Sequence, residues 1–262
     1  EVDGAAYWMS DNGFFRYTGQ LQSMQCLVED YVYDDLNTSS NQLVYCGINN
    51  LFGEITWFYC TSGSNVVDRS VTYSYLDSTR ERPIWFTNAS SIFPRTTWED
   101  SAVFGLPHAT QYDADTDTCD TVGNTDGISI YYEHETGVNY IKGGTSFAVP
   151  ASITSGDYDI TQDQREGISF RGDGEFIMRV SRIIPDFITQ TGNAFVQLDL
   201  RDYPNDAATS SPLGPFTLTP TTTKVDTRAR ARQIALTISN TAVDSNWKLG
   251  TFRLDVHAGG RR

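Results

Sequence analysis

The chain has 262 residues, with 33 Asp+Glu against 19 Lys+Arg, a formal net charge of −14 and 13% aromatic residues. A chain of this length buries roughly 75% of its unfolded surface, and its aromatic content sets it apart from disordered sequences. No apolar run approaches the ~18 residues that a membrane span needs, and the acid excess disfavours generic DNA wrapping, whose affinity comes from Lys and Arg placed on phosphates.

The amino end, Glu1-Val2-Asp3-Gly4, is neither a signal peptide nor a start methionine, so the sequence reads as a piece of something longer. Along the chain the two-residue period of a strand recurs and the helical period is nearly absent. Val71, Tyr73 and Tyr75 alternate with Ser70, Thr72 and Ser74; Ile128, Ile130 and Tyr132 share one side of the next such run. Phe176, Met178 and Val180 repeat the pattern, as do Ala194, Val196, Leu198 and Leu200, and finally Phe252, Leu254 and Val256. Turn pairs separate these runs: Asn12-Gly13, Ser62-Gly63, Asp126-Gly127, Gly143-Gly144, Ser155-Gly156, Asp173-Gly174 and Gly259-Gly260. The expected class is all-β, with antiparallel sheets arranged as propeller-like blades or as a β-sandwich, and little helix.

Two regions are expected. Residues 1–145 form an acidic, aromatic-rich, propeller-like β region, in which Tyr7-Trp8-Met9, Trp57-Phe58-Tyr59, Tyr73-Ser74-Tyr75 and Trp85-Phe86 are each followed by a polar turn. Residues 146–262 form a C-terminal antiparallel β region, the composition changing around Lys142-Gly143-Gly144-Thr145-Ser146. Charge divides along similar lines, with 23 acids and 6 bases in 1–164 against 10 acids and 13 bases in 165–262. The proline-rich stretch from Asp202 to Pro220 reads as a long loop with a short strand near Phe216–Leu218, of the kind that often serves as a contact surface.

Catalytic signatures are missing: there is no G-x-S-x-G elbow, no Walker A loop and no H-E-x-x-H, and Gly172-Asp173-Gly174 lacks the third glycine of a dinucleotide site. The protein is accordingly not read as an enzyme. His134 stands between Glu133 and Glu135, where strand alternation points its ring away from both carboxylates and favours a structural role. The four cysteines, 26, 46, 60 and 119, contain no C-x-x-C pair, and reduced, partly buried thiols are expected; a Cys26–Cys46 or Cys46–Cys60 bridge is the alternative in a secreted protein. No cofactor is called for beyond a candidate calcium loop, in which Asp113, Asp115 and Asp117 open the densest acidic stretch with the hard oxygen ligands calcium prefers. That stretch is not an EF-hand, because Thr118 stands where glycine would be needed and Asn124 where glutamate would be.

The basic counterpart is Arg228-Ala229-Arg230-Ala231-Arg232, followed by Ile234, Leu236 and Ile238 at the same parity. In a strand, Arg228, Arg230 and Arg232 would project from one face, which then turns apolar. Guanidinium forks suit carboxylates and phosphates alike. The expected role is subunit contact with acids of a neighbouring copy or of residues 1–164, with phosphate contact as the second possibility.

Taken in order, several stretches make the chain resemble the tail hub, or nozzle, proteins of tailed bacteriophages, the packaged-DNA stabilisation family. They are Glu54-Ile55-Thr56-Trp57-Phe58-Tyr59, Asn65-Val66-Val67-Asp68-Arg69-Ser70-Val71-Thr72-Tyr73-Ser74-Tyr75 and Arg95-Thr96-Thr97-Trp98-Glu99-Asp100. Further along come the run from Asp126 to Glu135, Arg182-Ile183-Ile184-Pro185-Asp186-Phe187, and the arginine strand with Trp247-Lys248-Leu249-Gly250 and Arg253-Leu254-Asp255. The resemblance covers about residues 50–262 and implies a C-terminal portion of a structural virion protein with a propeller-like domain. It further implies a homo-oligomer, a hexameric ring in the virion tail, assembled in the host bacterial cytoplasm. Its implied partners are a portal adaptor and tail fibre, spike or needle proteins. Double-stranded DNA would pass through it without sequence-specific binding, the hub retaining the packaged genome and allowing its ejection. Ala231 departs from the glycine expected there, and the 113–126 stretch looks like an insertion. Two other readings compete: a phage or bacterial β protein for receptor or glycan binding, whose exposed Trp and Tyr stack on sugars, and a secreted β-sandwich adhesin.

Overall fold

In the computed structural model, residues 1–89, 93–113, 128–163, 167–169, 176–203 and 212–261 are described. The protein is all-β, with 55% of the described residues in strands and 5% in two short helices, and its sheets are antiparallel. It divides into two compact units, Glu1–Gly137 and Val138–Arg262. The Gly143-Gly144 pair, read from composition as part of the joint, is instead the turn of a hairpin lying wholly inside the second unit. The first unit carries 20 Asp+Glu against 5 Lys+Arg, the second 13 against 14, so the acid excess belongs to the first alone.

The first unit is built around a four-stranded meander: β4 (Tyr45–Asn49), β5 (Glu54–Tyr59), β6 (Arg69–Ser74) and β7 (Ile84–Asn88), paired in chain order. Alternation gives β5 two apolar faces. On one, Ile55, Trp57 and Tyr59 join Val71 and pack against Phe14 and Met24, which belong to the three-stranded sheet of β1 (Ala6–Ser10), β2 (Gly13–Tyr17) and β3 (Leu21–Ser23) and the segment after it. Helix α1 (Glu29–Tyr33) adds Val32. Phe14 lies 5.1 Å from the Trp57 ring and 4.7 Å from Trp85, so a cluster of aromatic rings fills this layer. On the other face, Phe58 and Cys60 pack with Val67 and with Trp98 of β8 (Thr97–Glu99), which pairs with β9 (His108–Asp113) and through it with β10 (Ile128–Glu133).

Double-sided burial changes the meaning of the 70–75 alternation. Val71 is buried as expected, but Ser70, Thr72 and Ser74 on the opposite side are buried too. Two of these hydroxyls are satisfied, Thr72 by Thr56 at 2.8 Å and Ser74 by Asp77 at 3.4 Å. The aromatic strands expected to mark propeller blades therefore fill contacts between stacked sheets, and among the described residues no barrel or propeller closes. Cys26 and Cys60 are buried, Cys46 is exposed, and all three are free thiols.

The second unit is a two-sheet sandwich. One sheet, in the order β13-β21-β18-β19, consists of β13 (Ala151–Thr154), β18 (Ala194–Arg201), β19 (Leu213–Leu218) and β21 (Gln233–Asn240). The other, in the order β20-β16-β23, consists of β16 (Phe176–Ile184), β20 (Val225–Ala231) and β23 (Arg253–Arg261). Met178, Val180, Ile183, Ala229 and Ala231 from the second meet Ala194, Val196, Leu198, Leu218, Ile234, Leu236 and Ile238 from the first in one core. Three hairpins or ribbons flank them: β11 (Asn139–Lys142) with β12 (Thr145–Ala148), β14 (Thr161–Asp163) with β15 (Gly167–Ser169), and β17 (Phe187–Thr191) with β22 (Asn246–Leu249).

One glycine is required by close packing. The Trp98 indole lies flat on Gly47 of β4, donates its Nε1–H to the carbonyl of Ile48 at 2.7 Å, and occupies the space a β-carbon would need, 2.6 Å from Trp98 Cγ. Overpacking of this kind costs about 1–3 kcal/mol. Gly47→Ala is therefore expected to lower the unfolding free energy from urea titration by that amount, moving the midpoint down at unchanged m, and to move the Trp98 fluorescence toward that of exposed indole; an unchanged midpoint would contradict the packing described.

Candidate functional site

Strands β20, β16 and β23 present one face to the core and the other to solvent. Alternation turns Ala229 and Ala231 inward, where both are 2% exposed, and leaves Arg228 and Arg230 outward and exposed. The central strand does the same, with Met178 and Val180 buried and Arg179 exposed between them.

Register then brings the basic side chains together. Arg179 is the cross-strand partner of Arg230 on one side and of His257 on the other. Neighbouring strands lie about 4.8 Å apart, so the row Arg230–Arg179–His257 runs straight across the sheet, with Arg228 two residues along β20. Among the described residues, Arg179, Arg228 and Arg230 form no ion pair. Like charges placed directly opposite one another destabilise a sheet.

Beyond a register shift between Val180 and Arg182, the next row on the same face is paired. Arg182 has Asp226 as partner on β20 and Asp255 on β23, and reaches both, at 3.1 Å and 3.3 Å. Lys224 closes on Asp226 at 2.9 Å, and together Lys224 and Arg182 hold the Asp226 carboxyl below its usual range through their hydrogen bonds. The sheet thus contains a compensated row and an uncompensated row on one surface.

Arg232 parts from the other two arginines. It occupies the bend between β20 and β21, is half-buried, and its backbone N–H donates to the carbonyl of Arg201 at 3.0 Å. The bend passes the chain from one sheet to the other, which is why even-numbered residues point outward up to Arg230 and inward from Ile234. The three guanidiniums expected on one strand face are therefore two, and the cationic surface is completed instead by Arg179 of β16, with His257 of β23 beside it. Their signal in the sequence was present, since Arg179 alternates with Met178 and Val180, but the pairing that aligns them was not.

Of the calcium candidates, Asp113 closes β9, while Asp115 and Asp117 lie outside the described residues. Among the described residues, no group of three or more His, Cys, Asp or Glu side chains is placed to share a metal.

His134 follows β10 and lies against Trp98, ring centroids 4.5 Å apart, with its Nε2 accepting from Arg95 Nε at 3.0 Å. Arg95 is only 2% exposed; Nη1 donates to the Gln111 side chain and to the Pro94 carbonyl, both at 3.0 Å, and the guanidinium sits 4.3 Å over the Tyr132 ring. The structural role read for His134 matches this position. No family model matches the chain, and no curated protein matches it.

Two outcomes follow. Because Arg179 and Arg230 repel, Arg179→Ala is expected to leave the thermal midpoint of the dilute chain unchanged or raised, whereas Arg182→Ala, which strands Asp255 and leaves Asp226 with Lys224 alone, lowers it; calorimetry at low ionic strength reads the contrast. Burial, then Arg95, then His108, lower the His134 pKa from 6.5 to about 3. The unfolded chain takes up that proton first, so the contribution of His134 to stability is complete above about 6.5 and declines as pH falls toward about 3. His134→Gln should flatten that part of the stability profile, and an NMR titration should find His134 neutral at pH 5.

Proposed function

We propose that this chain is a structural subunit of a multi-copy assembly, a phage-tail hub or nozzle whose wall surrounds passing DNA. The observation that carries the reading is the uncompensated row Arg230–Arg179–His257 with Arg228, on a chain whose net charge is −14. A cationic face left unpaired in the single chain, beside a row that is fully paired, is a surface that gains from an anionic partner. A second copy supplies one: its first unit carries four acids for every base. Docking of the arginine face of one copy on the acid-rich surface of the next is a heterologous contact, the kind that closes into rings when the rotation allows. The same acid excess suits a conduit wall, since it repels the DNA backbone instead of holding it. Order among the residues that resemble tail hubs, and the all-β build, agree with this role.

The test is assembly. In 50 mM salt the chain should form closed multimers by native mass spectrometry and analytical ultracentrifugation. Dissociation is expected as salt rises and charges are screened. Arg179→Glu with Arg230→Glu should leave folded monomers. Multimers that persist in that variant, or tight binding of duplex DNA through these arginines, would refute the subunit-contact role.

A further inference from the structure

The hairpin between β4 and β5 leaves the sheet at Asn49 and re-enters it at Glu54, and these two residues face each other in register. Asn49 is 6% exposed. Its Nδ2 donates to Glu135 Oε1 at 2.9 Å, which fixes the orientation of the amide and leaves Oδ1 buried with no partner. Glu135, two residues beyond β10, is held in the left-handed region at φ 61°, which brings a third segment to the same place. Glu54 is half-buried, and among the described residues no donor and no cation reaches its carboxylate.

These groups are almost all acceptors. One carboxylate has a single donor, the other has none, and the amide oxygen of Asn49 is unsatisfied. Buried polar groups are ordinarily hydrogen-bonded, and buried charges are ordinarily paired or bound to a metal. Burial, Glu135 and Asp77 push the Glu54 carboxyl up to about 7, and burial pushes Glu135 up as well. A water molecule would satisfy the amide oxygen but would bring no positive charge.

We propose that Asn49 Oδ1 and the carboxylates of Glu54 and Glu135 form a binding site for a calcium ion. All three ligands are hard oxygens, with no His or Cys among them. They come from a hairpin and a loop, not from a fixed octahedral frame, which suits the flexible coordination of calcium better than the strict geometry of magnesium. Solvent water completes the shell. The site stands in the first unit and is separate from the Asp113, Asp115 and Asp117 stretch.

Calorimetric titration of CaCl2 into the full, EDTA-stripped chain at pH 8 tests it. The expected result is binding that weakens about tenfold or more in Glu54→Gln and in Glu135→Gln, because ligand charge sets affinity. Binding should tighten in Asn49→Asp and persist when Asp113, Asp115 and Asp117 are all changed to Asn. Folding of the Gln variants is checked independently, since without metal they should melt no lower than the parent at pH 8. Removing a carboxylate from this group of unpaired acceptors relieves repulsion in the metal-free chain. Absence of calcium heat would overturn the proposal. Binding unaffected by the Gln variants, or lost only with the three aspartates, would overturn it equally.

Discussion

Each strand offers its neighbours two faces, and whatever alternation places on a face must be buried, paired or left to solvent. Most of this protein follows from how its two units meet that constraint. In the first unit both faces of the central meander are covered, so hydroxyls on its polar side find one another inside the protein, as Thr56 and Thr72 do. In the second unit each sheet keeps one face wet, and the alanines of β20 enter the core only because its arginines leave it.

Register converts that division into electrostatics. A strand paired one residue differently would set Arg179 opposite other side chains, and the row it now shares with Arg230 and His257 would not exist. The irregularity between Val180 and Arg182 separates this row from the one where Arg182 lies between Asp226 and Asp255. Two adjacent stretches of one surface thus differ in whether their charges are settled within the chain. The first unit holds the opposite imbalance on a smaller scale, where Glu54, Glu135 and the Asn49 amide oxygen gather acceptors without a counter-charge.

Aromatic residues show a related economy. Phe14, Trp57 and Trp85 are widely spaced in the chain yet form one interlayer cluster, and Trp98 covers the opposite face of the same meander by lying on Gly47. The recurrence of aromatic strands along the sequence is therefore produced here by stacking of sheets, without the radial repetition of blades.

Period-two alternation, turn pairs and the scarcity of helical patterning were local properties, and they determined the class, several of the strands and the outward direction of Arg228 and Arg230. The acid excess of the first part was legible because it depends on composition alone, whereas the place of His134 rests on Trp98 and Arg95, far away in the chain. The tertiary structure decided the rest: the bend that removes Arg232 from the arginine face, the recruitment of Arg179 and His257 to it, the burial of Arg95, and the meeting of Asn49 and Glu54 with Glu135. Each of these depends on which strand lies beside which and in what register, and such pairings are chosen by packing among segments far apart in the chain, not by the residues on either side of any one position.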